Sequence, residues 1–115
     1  MKLFSYSSCS TCRRAINWLK DNDIDFELFE LLKTPPSIEM LISACELYGN
    51  RKYLLNTSGV AYRSIGSTVV KKMTDNELLA QLIIEPRLIK RPFLCISSND
   101  YLVGFREEEW ADKLL

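Results

Sequence analysis

The chain has 115 residues, enough for one domain (1–115) that buries its own core without covalent staples. Apolar residues make up 47% and charged residues 26%, and fifteen Lys/Arg balance fifteen Asp/Glu. This is ordinary globular usage and argues against direct binding of DNA or RNA, where a basic excess is the rule. Histidine is absent, which removes the commonest general base and the commonest metal ligand together.

In chain order, KLFSY (2–6) is a short β-run ending at Ser7-Ser8. From Cys12 to Asn22 the apolar spacing is helical, with Ala15, Ile16 and Leu19 on one face. DFELFEL (25–31) alternates, with Phe26, Leu28 and Glu30 on one side, and predicts a second strand. TPPS breaks it, because neither proline donates to a ladder. Ser37 is placed to cap a helix running to about Tyr48, with Met40, Leu41, Ala44 and Leu47 inward, and Gly49-Asn50 stops it. Residues 51–73 are less regular: KYLLN reads as one helical turn, TSG as a turn, and Tyr62–Ile65 as a short helix or coil. Thr74 and Glu77 have capping-box spacing, and Met73 and Leu78 are staple positions, for a helix to about Ile84 that ends before Pro86. PFLCIS (92–97) and YLVGF (101–105) flank SND as a β-hairpin, and Glu107, Glu108 and Glu109 suit the first turn of a last helix through Leu114. The order β-α-β, helices, β-β-α predicts an α/β, thioredoxin-like fold: a mixed β-sheet flanked by helices, with a helical insertion over about 37–85.

The N-terminal apolar run is too short for a secretory leader, and no stretch approaches the roughly 18 apolar residues of a membrane span. A cytoplasmic protein without membrane contact is expected, and four cysteines there are not a structural disulfide framework. YSSCSTCRRA (6–15) holds a C-x-x-C that fits a redox centre, half of a zinc site, or two inert buried thiols. Zinc needs four ligands, and Cys45 and Cys95 are lone residues that read as core, so no metal is expected. Cys9 falls just before the first helix, where free N–H groups favour an anion. A free cysteine titrates near 8.5. A helix end supplies about 0.3–1 kcal/mol, up to about 2, against about 1.4 kcal/mol per pKa unit. At its typical strength the helix end alone therefore moves a thiol by less than about one unit, and a guanidinium has to add the rest: Arg13, Arg14 or a distant arginine. In IKRPFLC, Arg91 precedes Pro92 at a strand start, where proline is permitted and an X-Pro bond is cis at modest cost. A surface arginine beside an edge-strand proline explains this pair equally well.

CSTCRRA, LLNTSGVAYRSIG, LIKRP and LVGF, in that order, resemble the arsenate reductase (ArsC)/Spx family, closest to its small Spx- and YffB-like members. The resemblance implies a thioredoxin-like fold with a helical insertion and a cis Pro92 facing the cysteine loop. It implies Cys9 as nucleophile, Ser10 and Thr11 as the loop between the thiols, and Arg13 and Arg91 beside the thiolate and any oxyanion. Two further family arginines fall on Asn56 and Gly104, which carry no guanidinium. A tetrahedral oxyanion loses charge-assisted contacts there worth roughly 1.5–3 kcal/mol each, and Arg63 or Arg106 are the candidates to replace them. Glutathione-linked reductases of the family lack a cysteine at position 12, whereas its Spx-type regulators carry C-x-x-C as a redox switch.

The expectation is thus a thiol–disulfide redox protein. Cys9 attacks, Cys12 resolves, nothing is bound as a cofactor, and glutathione or a thioredoxin/glutaredoxin protein is the reductant. The alternative is an Spx-like redox-switch transcriptional regulator that binds the RNA polymerase α subunit.

Overall fold

The computed structural model describes residues 1–115. Four strands form one sheet: β1 (Lys2–Ser5), β2 (Glu27–Glu30), β3 (Phe93–Ser97) and β4 (Asp100–Val103). Their spatial order is β2-β1-β3-β4, with β1 and β2 parallel and the other two pairings antiparallel. The parallel pair is joined by α1 (Ser10–Asp21), and the antiparallel hairpin leads into α6 (Glu107–Leu114). Between β2 and β3 lie α2 (Ile38–Tyr48), α3 (Val60–Ile65), α4 (Ser67–Lys72) and α5 (Asp75–Ile84), with 3₁₀ turns at Arg51–Leu54 and Pro86–Leu88. This is the expected mixed sheet flanked by helices. No helix is long and apolar enough to cross a membrane.

Strand alternation divides the interior in two. Leu3, Leu94 and Leu102 point to one face and pack with Ala15 and Leu19 of α1 and Trp110 of α6. Phe4, Phe93, Cys95, Tyr101 and Val103 point to the other and meet Leu41, Ala44, Leu78, Leu79 and Leu82 of α2 and α5. The sheet is therefore a two-sided wall whose upper edge, after β1 and before β3, carries the motif loops.

Several sequence expectations are corrected in detail. The first helix starts at Ser10 rather than Cys12, because Cys9 itself is its N-cap. Leu47 is 47% exposed rather than inward. Tyr48 takes the inner position at that end of α2, where its hydroxyl accepts the Val103 N–H at 2.9 Å. On β2, Leu28 shares the α1 face with its register partner Leu3 but is 54% exposed, because an edge strand has no neighbour to extend the cover. Phe29 instead joins the larger core, stacked on Phe4 at 5.1 Å. The irregular stretch 51–73 folds as two short helices meeting at Gly66, whose φ of +94° lies where a side chain would be strained. The capping box forms as expected: the Thr74 N–H donates to Glu77 Oε1 at 2.9 Å and the Glu77 N–H to Thr74 Oγ1 at 3.1 Å. These bonds hold the Glu77 carboxyl below its ordinary range.

Candidate active site

Cys9 caps α1 with extended backbone, and its Sγ accepts the Cys12 N–H at 3.2 Å. The local reason is the Ser7-Ser8 turn, closed by Cys9 N–H to Tyr6 carbonyl at 3.0 Å, which ends β1 and swings the chain into the helix. Cys9 is half-buried, and Cys12, one turn along, is 1% exposed. Burial pushes the Cys12 thiol up to about 12, aided by the bond to Cys9 and its charge, while the Tyr6 backbone and the Arg91 guanidinium oppose the rise. Both cysteines are free thiols here, as are Cys45 and Cys95. Cys95 lies in the core, where burial raises its thiol, and half-buried Cys45 packs against the same cluster.

Two loop segments build the wall opposite the cysteines. Residues 54–56 run antiparallel to 88–90: Lys90 N–H donates to Leu54 carbonyl and Asn56 N–H to Leu88 carbonyl, each at 2.8 Å, around a Leu55–Ile89 bridge. Leu54, Leu55, Leu88 and Ile89 are all buried, so the pairing is anchored in the core. It carries LLNTSG and LIKRP to one rim. The Arg91–Pro92 bond is cis. The Pro92 carbonyl accepts the Gly104 N–H at 2.8 Å, which brings the end of β4 alongside.

The result is a cleft of about 450 Å³ with Cys9 and Thr11 on one side and Asn56, Lys90, Arg91 and Gly104 on the other. Four cations line it (Arg14, Lys90, Arg91 and Arg106) and no carboxylate does. In a chain of zero net charge this is a local concentration of positive potential at a thiol, suited to thiolates and to anionic partners.

The sequence-predicted residues occupy distinct places. Arg91 is half-buried, lies over the Tyr6 ring at 4.9 Å and donates to the Arg87 carbonyl at 3.3 Å. Arg13 turns back along the cysteine loop and donates to the Ser7 carbonyl at 3.0 Å; it does not line the cleft. Arg14 does, extended over Phe105 at 6.0 Å. Ser10 opens α1 and is exposed. Arg63 is spent on the Ser58 carbonyl at 2.9 Å and lies outside the cleft, whereas Arg106 lines it while paired with Glu109 at 2.7 Å. Lys90, Tyr53 and Phe105 were not singled out by sequence reasoning. Lys90 and Phe105 carried a signal, their places inside LIKRP and LVGF. No three His, Cys, Asp or Glu side chains come close enough to hold a metal ion.

Comparison with known proteins agrees with this geometry. The ArsC family model matches residues 4–113. The uncharacterized protein YusI of Bacillus subtilis (strain 168) is 32% identical over 114 residues, covering 97% of this chain and 96% of that one. The global transcriptional regulator Spx of Lactiplantibacillus plantarum is 29% identical over 108 residues, covering 93% and 80%. The crystal structure of an ArsC family related protein from Bacteroides fragilis superposes with a TM-score of 0.85 at 34% identity, covering 96% and 94%. With the family model matching 4–113 and the relatives alike along nearly its whole length, the chain belongs to the ArsC family.

Proposed function

We propose that the protein is a thiol–disulfide redox protein in which Cys9 is the nucleophile and Cys12 the resolving thiol. One observation carries this reading: Cys9 Sγ sits at the N-terminus of α1, accepts the Cys12 N–H, and faces a cleft lined by four cations and no carboxylate. A partly exposed thiol in an electropositive setting is the environment of reactive cysteines.

The Cys9 thiolate attacks one sulfur of a partner disulfide, forming a mixed disulfide while the other sulfur leaves as a thiolate and takes a proton. Cys12 then attacks Cys9, releasing the second half of the partner and leaving a Cys9–Cys12 disulfide. Two electrons pass to the partner, and a thiol reductant, glutathione or a thioredoxin/glutaredoxin protein, returns them. The elevated Cys12 thiol orders these steps. Apart from burial, what raises it is the bond to Cys9 and the Cys9 charge. Both end once Cys9 is in a mixed disulfide, while the Arg91 guanidinium goes on favouring the Cys12 thiolate. Burial, the main cause, keeps Cys12 protonated before the attack, and the loss of the two Cys9 contributions eases its ionisation afterwards.

The test is coupled turnover of the reduced protein on a glutathione mixed disulfide and on arsenate, with glutathione and thioredoxin systems as separate donors. Turnover that disappears in Cys9→Ser is the expected result, and full turnover by Cys9→Ser overturns the proposal. Asn56 and Gly104 supply no guanidinium to the cleft, so arsenate is the poorer substrate of the two. The likeness to Spx favours a second reading, a redox switch whose disulfide changes binding to the RNA polymerase α subunit. Absent turnover with redox-dependent polymerase binding selects it.

A further inference from the structure

Lys90 is the uncommitted cation of the cleft. Arg91 lies over Tyr6, Arg14 over Phe105, and Arg106 is paired with Glu109. The Lys90 ammonium enters none of the ion pairs of the protein. Its backbone is nonetheless fixed, through its N–H to the Leu54 carbonyl at 2.8 Å.

Its side chain runs over Gly104. A Cβ at that position would stand 2.9 Å from Lys90 Cε and 3.7 Å from Nζ. The glycine cannot retreat. Its N–H is bound to the Pro92 carbonyl at 2.8 Å, and its carbonyl accepts the indole N–H of fully buried Trp110 at 2.9 Å. Its φ of +74° is itself a conformation side chains rarely adopt. A side chain at 104 would therefore displace the flexible far end of Lys90, and glycine leaves it that space. Position 104, where the family resemblance would root a guanidinium, instead gives room to the stem of a cation rooted at 90. The exchange is not neutral, because an ammonium is a compact point charge while a guanidinium is a planar fork matched to bidentate oxyanions.

Resting on the reading of Cys9 as the reactive thiol, we propose that Lys90, seated over Gly104, is a specificity-determining cation that selects partners carrying a carboxylate beside the sulfur or carbon that Cys9 attacks.

The experiment alkylates the reduced full-length chain with iodoacetate or iodoacetamide. In each case the Cys9 thiolate forms an S–C bond as the C–I bond breaks and iodide leaves. The reagents differ in charge and need no donor system. The ratio of the two rates at Cys9 is read by fragmentation mass spectrometry, which separates Cys9 from Cys12. Lys90→Met is expected to lower the acetate-to-acetamide ratio about threefold or more at low salt, with the difference closing near 1 M salt. Lys90→Arg keeps the ratio, and Lys33→Met, a charge loss at an exposed residue outside the cleft, leaves it unchanged. Gly104→Ala lowers it with no change of charge and adds nothing in a Lys90→Met background. Lys90 is exposed, so its substitution leaves the core intact and decides the matter even where Gly104→Ala unfolds. An unchanged ratio in Lys90→Met, or a Cys9 inert to both reagents, overturns the proposal. Absent turnover with a Lys90-dependent ratio overturns the enzyme reading alone.

Discussion

Cys9 and Cys12 are chemically alike in the sequence and different in the fold. One is half-buried at a cationic cleft, the other sealed in the first turn of α1. This asymmetry predicts asymmetric mutants. Cys12→Ser is expected to retain the first attack and accumulate a mixed disulfide on Cys9, seen as a mass increase of one partner half that dithiol reductant removes. Cys9→Ser is expected to form no adduct at the motif, since Cys12 is buried and burial, the main cause of its raised thiol, remains. Equal adduct formation by the two variants would contradict the division of roles. The arginines differ in the same way. Arg13 holds the Ser7 carbonyl, whereas the Arg91 guanidinium opposes the rise of the Cys12 thiol. Arg91→Ala is expected to slow resolution, measured as the decay of the mixed disulfide in a single turnover. Arg13→Ala is expected to act on the loop itself, read as faster proteolysis around Ser7-Ser8. A resolution rate unaltered in Arg91→Ala counts against its role at the resolving thiol.

At the scale of elements, the segment between β2 and β3 includes helices too short to stand alone. An isolated six-residue helix is unstable in water, and α4 has six residues. Arg51 supplies what it lacks. Its guanidinium donates to the Val70 carbonyl at 3.1 Å, the Lys71 carbonyl at 3.3 Å and the Met73 carbonyl, and pairs with Asp75 at 3.2 Å. It thus closes the C-terminal end of α4 and ties it to the first turn of α5. Hydrogen bonds to a charged group contribute about 1.5–3 kcal/mol. Arg51→Ala is expected to cost about that much in denaturant unfolding, and Arg51→Lys to recover little, because one ammonium cannot span acceptors arranged for a fork. Full recovery in Arg51→Lys would show that charge alone suffices. The Leu55–Ile89 bridge matters for the same reason, since the rim carrying Asn56, Lys90 and Arg91 has no regular sheet to hold it.

At the scale of the molecule, burial raises the Cys12, Cys45 and Cys95 thiols and the Tyr48 and Tyr101 phenols together. Each of these groups is neutral when protonated and loses its proton at lower pH in the unfolded chain. Above about pH 9 the unfolded state therefore binds fewer protons than the native state, and stability falls as pH rises. For Cys12 the window runs from about 9 to about 12, with a slope of at most about 1.4 kcal/mol per pH unit. The reduced protein is expected to lose stability over this range in chemical denaturation, with a shallower slope in Cys12→Ala. Identical slopes would show that Cys12 is not held protonated. The same whole-molecule view explains how a chain of zero net charge presents a cleft whose charged lining is all cationic. Charges balance in number, yet the fold gathers those from α1, the 88–91 rim and the end of β4 onto one side.

Periodicity, caps and turn residues act over a few neighbours, so they are written locally. That is why the strand order along the chain, the Thr74–Glu77 capping box, the β3–β4 hairpin and the place of the C-x-x-C before a helix were all legible in the sequence. The apolar faces were legible only where an element is covered. Leu47 and Leu28 fit their periods and are exposed, because cover depends on what another segment brings, and period says nothing of that. The cleft was decided by tertiary structure for the same reason. Of Arg13 and Arg14 only the second reaches it, the first being turned back onto the Ser7 carbonyl. Lys90 meets Gly104 because a two-residue bridge and one indole hydrogen bond set their backbones side by side. The sequence by itself determined the elements and the thiol pair, and only the fold decided which charges those thiols face, since charge acts through space and not along the chain.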